Sequence, residues 1–192
     1  MILYLRSRQV PAACAAAAGL AAVMWTLWLT LSRETTADLF LVVLTVLLMV
    51  ALLTVTLAGP DGDLDRTAAL RWPPRRAAHL LAALALITGI LAATRLTGAA
   101  FAPTAVVLRD AAGLLGLTAL GAATIGVAKS WFAPLGWTLA AILFRQENDT
   151  VGEILTWQSQ QAGSRPAALT ALALALTGLV AYAIAGPATR TT

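Results

Sequence analysis

Long stretches without any charged side chain dominate this sequence and restrict what it can fold into. Val10 to Ser32 contains no charged residue, and neither does Leu39 to Pro60. An apolar stretch of about 20 residues is long enough to cross the hydrocarbon core of a bilayer as a helix. Only 11% of the residues are charged, against about 25% in soluble domains, and 59% are hydrophobic. The sequence therefore predicts an integral membrane protein.

The other apolar stretches extend this to an all-α membrane protein with six transmembrane helices, which leaves little chain for a soluble domain. The fifth stretch is short and contains Pro134-Leu135-Gly136. We expect it to be a broken helix, of the kind that lines cavities in transporters. The predicted spans of this single transmembrane domain are residues 10–32, 39–60, 77–95, 105–128, 130–144 and 166–187.

The basic residues predict the orientation. If the N-terminus is cytoplasmic, eight Lys and Arg residues flank the membrane inside and five outside, as the positive-inside rule favours. We therefore expect both termini in the cytoplasm. Frequent Ala and the use of Arg instead of Lys are typical of a high-GC bacterium, which predicts a bacterial plasma membrane. Because these charges flank spans, nucleic-acid binding is not expected. The residues expected inside are Arg6, Arg8, Arg66, Arg71, Arg75, Arg76, Lys129 and Arg190.

The longest strongly charged interruption runs from Gly59 to His79, between the second and third spans. It begins with an acidic turn and continues with a helical pattern over residues 64–72. The paired prolines Pro73-Pro74 are expected to stop this helix, since proline cannot continue one. We predict a short helix on the cytoplasmic surface, where a soluble partner can reach it.

The fourth predicted span carries two candidate sites. Arg109 and Asp110 lie near its outer end, where they fit either a contact with an anionic substrate group or two interfacial residues that reach the lipid headgroups. Further along, small residues recur at spacings of three and four, which lets another helix approach closely. This predicted packing face consists of Gly116, Ala119, Ala123 and Gly126.

Catalytic chemistry is not predicted. Glu147, Asp149 and Glu153 resemble acid/base or metal-binding residues in type, but the only histidine, His79, is predicted on the opposite side of the membrane. Cys14 is the only cysteine. We therefore expect a solvated acidic loop at residues 145–165, with no catalytic, metal-binding or cofactor-binding residues in this chain.

The order of these features resembles the membrane subunits of ABC-2 type transporters. The stretches that carry the resemblance are a basic lead-in, MILYLRSRQ, the charged segment DGDLDRTAALRWPPRR and the polar segment RQENDTVGEILTWQSQQAGS. The phrases LDRTAALRWPPRRAAHLL and ILTWQSQQAGSRPAALTAL also resemble those in small actinobacterial integral membrane proteins encoded beside ABC ATPases. The resemblance is one of layout and covers most of the chain. This chain is shorter than the usual family member, and its lead-in is abbreviated.

The resemblance implies a permease subunit, with export as the usual direction, driven by a separate ATPase subunit that binds ATP and Mg²⁺. It also implies pairing with an identical or different second permease chain, or an accessory role beside one. The segment between the second and third spans then corresponds to the family's coupling helix, which contacts the ATPase. The residues expected at that contact are Asp63, Leu64, Asp65, Arg66, Leu70, Arg71 and Trp72.

A membrane protein without an ATPase is the alternative interpretation. Examples are the membrane-embedded binding subunit of an uptake system and a scaffold within a membrane complex. A binding subunit needs a polar pocket in the outer halves of its helices. The sequence offers only Arg109, Asp110 and scattered threonines as candidates for such a pocket.

Overall fold

The computed structural model describes residues 9–32, 37–58, 72–98, 101–143 and 150–188. Five of its helices are long and apolar enough to cross a membrane, so the protein is an all-helical, multi-pass membrane protein. The helices are α1 (Val10–Leu31), α2 (Leu39–Thr54), α3 (Trp72–Ala93), α4 (Thr104–Ile125), α5 (Phe132–Leu143), α6 (Thr150–Leu155) and α7 (Arg165–Ala185). Short 3₁₀ turns extend α2 to Leu57 and α3 to Thr97, precede α5 at Val127–Lys129, and follow α6 at Trp157–Ser159.

Helix α4 is the centre of the bundle. It is the most buried of the long helices, and it contacts α2, α3, α5 and α7. Its most extensive contact is with α7. There the two backbones touch, because a Cβ atom placed on Gly178 would collide with the carbonyl group of Gly116. Glycine at both positions removes the side chains that would otherwise hold the helices apart.

The contacts between helix termini define two ends of the bundle. At one end, which we call the Arg109 end, the indole of Trp25 in α1 packs on Phe101, with ring centroids 5.7 Å apart. Arg109 at the start of α4 reaches Gln161, just before α7. The end of α1 and the starts of α4 and α7 therefore lie together.

The opposite end, which we call the Arg76 end, joins the start of α3 to the ends of α2 and α7. Nε2 of His79 lies 2.8 Å from the hydroxyl of Thr56. Nη1 of Arg76 donates to the carbonyl of Ala183 at 3.4 Å, near the C-terminus of α7, where the carbonyl groups attract a cation. Its guanidinium also fills the space beside Gly186, where a Cβ would collide with it.

Pro73 and Pro74 lie inside a helix, whereas the sequence predicted them as the stop of a surface helix over residues 64–72, of which residues 64–71 lie outside the described part of the chain. Helix α3 begins at Trp72 and continues through both prolines. Proline is well tolerated in the first turn, because the amide hydrogens there have no partner within the helix and its fixed φ angle suits the helix start. Trp72 is therefore the first residue of the third helix rather than the last residue of a surface helix, and the guanidinium of Arg76 lies 5.8 Å from its ring centroid.

The predicted break in the fifth apolar segment lies elsewhere. Pro134 and Gly136 are in the first two turns of α5, and the helix is continuous from Phe132 to Leu143. The backbone departs from the helical path earlier, at Gly126, which ends α4 with a φ angle of 87°. This segment, Val127–Leu143, is an apolar helix shorter than a full span.

Several predicted features lie outside the described residues. They include the lead-in at residues 1–8, all of the predicted coupling helix except Trp72, and the acidic residues Glu147 and Asp149. The bounds of α1, α2, α4 and α7 lie close to those of the predicted spans 10–32, 39–60, 105–128 and 166–187. The third helix starts at Trp72, five residues before the predicted span, because both prolines belong to its first turn.

Candidate functional site

A buried ion pair joins the start of α4 to the segment that precedes α7. Nε of Arg109 donates to Oδ1 of Asp110 at 2.9 Å. Nη1 and Nη2 of Arg109 donate to the carbonyl oxygens of Gln161 and Gln158, each at 3.1 Å. The side chain of Asp110 is fully buried and that of Arg109 is 7% exposed. The interpretation of this pair as interfacial residues reaching the headgroups is therefore wrong, because Arg109 clamps residues 158–161 onto the bundle.

This cluster contains buried polar atoms with no hydrogen-bond partner among the described residues. They are Oδ2 of Asp110, Nε1 of Trp157 and Nε2 of Gln158. A buried polar atom that lacks a partner costs about 1–3 kcal/mol, so native structures contain few of them. Three such atoms on one helix start and one adjoining segment mark this region as a candidate site.

Trp157 fixes the adjoining segment inside the bundle. Its side chain is fully buried, and the indole ring lies over Gly113 of α4. A Cβ at position 113 would collide with three carbon atoms of that ring. Glycine therefore forms the notch that admits the indole, and Gln158, the next residue, is held at a defined depth.

Gln158 lines a cavity of about 390 Å³ between α2, α5 and the turn after α6. Only 2% of its surface is exposed. The Thr138 hydroxyl lies 2.8 Å from the carbonyl oxygen of Pro134 and 3.0 Å from the side-chain amide of Gln158, and its single proton is shared between these two contacts. The cavity has a mixed polar and apolar lining, as ligand sites do. The lining residues are Asp38, Leu39, Phe40, Val43, Thr138, Ala141, Ile142, Gln158 and Ser159.

Asp38 is the charged residue among the described residues that line this cavity, which we call the Gln158 cavity. It is exposed and caps α2, since its Oδ2 accepts from the amide of Phe40 at 3.2 Å. Phe40 and Ile142 are about half exposed, while Val43 and Thr138 are buried. The cavity thus has a buried polar floor at Gln158 and an exposed rim that combines a carboxylate with apolar side chains.

Glu153, which the sequence offered as an acid/base or metal-binding candidate, takes part in capping a helix. Oε2 of Glu153 accepts from the hydroxyl of Ser164 at 2.8 Å, and the Ser164 hydroxyl in turn accepts from the amide of Ala167 at 3.2 Å. Glu153 therefore supports the N-terminal cap of α7. Within the described ranges, no group of three His, Cys, Asp or Glu residues is placed to hold a metal ion.

The four residues of the predicted packing face differ in how deeply they are buried. Gly116 and Ala119 are buried, and Gly116 lies against α7. Ala123 is half-buried and Gly126 ends the helix. The surface in contact with α7 therefore includes the first half of the predicted face.

Sequence reasoning missed Gln158 and Asp38 as site residues. The signal available for Gln158 was a polar run after Trp157, and such a run fits a surface loop equally well. Asp38 stood in a short polar link between two spans. Only the tertiary fold brings the start of α2 and the end of α5 to the segment at Gln158.

No protein-family model, curated protein or solved structure matches this chain.

Proposed function

We propose that this protein is the membrane-spanning permease subunit of an ABC transporter, driven by a separate ATPase subunit. The proposal starts from the resemblance of its layout to ABC-2 membrane subunits. The structural observation that carries it is the contact between the end of α2 and the start of α3, which lie on either side of the segment that would meet the ATPase. These helices flank residues 59–71, and Thr56 and His79 hold their ends together.

The proposed mechanism begins when ATP closes a dimer of ATPase subunits. The closing subunits push on residues 59–72 and so move α2 and α3. Arg76 connects α3 to the last turn of α7. Helix α7 in turn makes the most extensive helix contact of the bundle, with α4. Motion at the Arg76 end can therefore reach the central helices and alternate access to a path beside a second permease chain. ATP and Mg²⁺ act in the ATPase, and this chain hydrolyses nothing.

In this proposal the ATPase contact consists of Asp63, Leu64, Asp65, Arg66, Leu70, Arg71 and Trp72. Because Trp72 starts α3 and lies beside Arg76, its role would be to transmit the push. Leu64 and Leu70 would supply the apolar contact with the partner.

The proposed topology has six membrane passes, with Val127–Leu143 as a short fifth pass, and both termini in the cytoplasm of a bacterial plasma membrane. The positive-inside count from the sequence supports it, since eight of the thirteen basic residues fall on the side that this topology places in the cytoplasm. The Arg109 end and the Gln158 cavity would then face outward, and the segment that meets the ATPase would face inward.

A second candidate function is a membrane-embedded binding subunit that works without an ATPase. The Gln158 cavity favours it, because a polar pocket near the outer ends of the helices is what such a subunit needs. The two functions share this cavity and differ in the partner.

The deciding experiment is purification of the tagged chain in mild detergent from the bacterium that encodes it, followed by identification of its partners and an ATP hydrolysis assay. We expect a stoichiometric ATPase subunit. Leu70→Asp should release it, while Leu96→Asp should retain it, because Leu96 is 90% exposed and lies at the other end of α3.

Recovery of the chain alone, or with membrane proteins that hydrolyse no ATP, would reject the ABC function and favour the binding subunit. Retention of the ATPase by Leu70→Asp would contradict the proposed contact at residues 59–71.

A further inference from the structure

The charges of the described residues are divided unevenly between the two ends of the bundle. All the acidic side chains among the described residues lie at the Arg109 end, and they are Asp38, Asp110 and Glu153. The basic side chains that the structure describes at the Arg76 end are Arg75, Arg76 and Lys129. The described part of the Arg76 end therefore carries positive charge without a carboxylate to neutralise it.

Arg76 brings part of this charge inside the bundle. Arg75 is exposed, whereas Arg76 is 9% exposed. Among the described residues, Nη1 of Arg76 donates a long hydrogen bond of 3.4 Å to the carbonyl of Ala183, and Nε has no partner. A buried cation is costly unless an anion offsets its charge. An anion does not need to reach Nε for this, because Coulomb attraction acts over several ångströms where the dielectric constant is low.

An apolar groove between α3, α4 and α7 begins one helical turn from Arg76. Leu80, which lines the groove, follows Arg76 by four residues on α3. Leu179, which lines the opposite side, precedes Ala183 by four residues on α7. Residues four apart lie on the same face of a helix, so the groove runs from the contact between Arg76 and Ala183 into the membrane-spanning part of the bundle. The lining further along is also apolar and includes Leu84, Ala112, Leu115 and Ala175.

A phospholipid fits both features better than a second copy of this chain. A lipid has a headgroup at the membrane surface and acyl chains below it, which matches a basic end above an apolar groove. A second copy inserted in the same orientation would bring its own basic end to the same level, where like charges repel. Leu81, at the edge of the groove, is 55% exposed, so an acyl chain can enter from the surrounding lipid.

We propose that the Arg76 end and this groove form a binding site for an anionic phospholipid. The phosphate lies beside Arg75 and close to Arg76, where it offsets their charge, and one acyl chain lies in the groove. Basic pockets between spanning helices are known to hold the headgroups of anionic lipids. The site needs no ATPase, so this inference does not depend on the proposed function.

Binding is measured on the purified full-length chain in non-ionic detergent, without any ATPase, by native mass spectrometry of the lipids that stay bound. The probe is dioleoylphosphatidylglycerol, which has a net negative charge. The matched lipid is dioleoylphosphatidylcholine, which has the same acyl chains and no net charge. Each basic residue near an anionic headgroup favours binding about fivefold, so we expect the probe to bind at least about tenfold better than the matched lipid. Inorganic phosphate in excess should not displace the probe, because it has no chain to occupy the groove.

Two pairs of variants test the assigned residues. Arg75→Gln should weaken binding of the probe about fivefold. Arg165→Gln, also at an exposed arginine but at the start of α7 and so at the Arg109 end, should bind as the parent does. Ala112→Phe fills the groove and should weaken binding about tenfold. Ala173→Phe, on the exposed face of α7 and outside the groove, should leave it unchanged.

Arg76 needs a variant that separates charge from packing. Arg76→Gln should weaken binding at least as much as Arg75→Gln, and Arg76→Lys, which keeps the positive charge, should retain most of it.

Equal binding of the two lipids to the parent chain would overturn the proposal, and so would equal losses in Arg75→Gln and Arg165→Gln. Displacement of the probe by inorganic phosphate would show a site for a free anion and would overturn it as well. The lipid comparison uses the parent chain alone, so it decides the question even if a variant fails to fold. Because no ATPase is present, loss of lipid binding is distinct from failure to recover an ATPase partner.

Discussion

Gly178 of α7 lies directly against the backbone carbonyl of Gly116 in α4. Inside a membrane, lipid tails are as apolar as leucine side chains, so helix association depends on close packing rather than on the exclusion of water. The contact between these glycines lets the backbones of the two helices touch. Because neither glycine has a side chain, α4 and α7 approach each other closely at the centre of the bundle.

Replacing Gly178 by alanine should destabilise the protein by about 1–3 kcal/mol, because the added methyl group forces α4 and α7 apart. The measurement is the free energy of unfolding in detergent, with tryptophan fluorescence as the signal of unfolding. Gly89→Ala is the matched control, since Gly89 lies within α3 and a Cβ there meets nothing within 4 Å. That variant should be unchanged, or more stable by up to about 1 kcal/mol. Equal destabilisation of both would contradict the proposed helix contact.

The notch at Gly113 leads to a prediction about the segment next to the cavity. Gly113→Ala should displace the Trp157 ring, lower the free energy of unfolding by about 1–3 kcal/mol and expose the indole to a fluorescence quencher.

A smaller ring should partly relieve this collision. In the double variant Gly113→Ala with Trp157→Phe, the loss of stability should be smaller than the sum of the two single losses, because the two residues are in contact. A strictly additive result would mean that the indole does not occupy the notch.

The long helices could be predicted from the sequence because hydrophobic length alone determines them. Val10–Leu31, Thr104–Ile125 and Arg165–Ala185 begin and end within a few residues of the predicted spans. The errors came from proline. Pro73 and Pro134 were assigned as helix breakers, whereas both lie in first turns, where the missing amide hydrogen costs nothing. Whether a proline breaks a helix depends on where the helix starts, and hydrophobic patterns predict helix starts only to within a few residues.

The candidate site depended on contacts that hydropathy does not encode. Arg109 and Asp110 were recognised as unusual charges, but the acceptors of Arg109 are carbonyl oxygens of Gln158 and Gln161, about fifty positions along the chain. Every residue has a backbone carbonyl, so the sequence does not indicate which carbonyl groups Arg109 will contact. Gln158 acquired its place in the cavity from that clamp and from the neighbouring Trp157, so its environment could be known only from the fold.

Tyr182 provides a test of the Arg76 end. Its buried hydroxyl donates to the carbonyl of Leu57 at 2.7 Å, which ties the end of α7 to the end of α2. Tyr182→Phe keeps the ring and removes this hydrogen bond, so it should lower the free energy of unfolding by about 0.5–1.5 kcal/mol. Thr177→Val, on the exposed face of α7, removes only a hydrogen bond within its own helix and should change stability by less than about 0.5 kcal/mol. An unaffected Tyr182→Phe would argue against the contact.

The buried pair of Arg109 and Asp110 should stabilise the protein through its pairing. Arg109→Gln leaves a carboxylate inside the bundle without its cation and should cost about 3–5 kcal/mol. Adding Asp110→Asn removes that charge, so the double variant should be more stable than Arg109→Gln alone. Arg165→Gln, at an exposed arginine, should stay within about 0.5 kcal/mol of the parent. Thermal unfolding in detergent measures all four proteins, and a double variant less stable than Arg109→Gln would show that Asp110 is stabilised by groups other than Arg109.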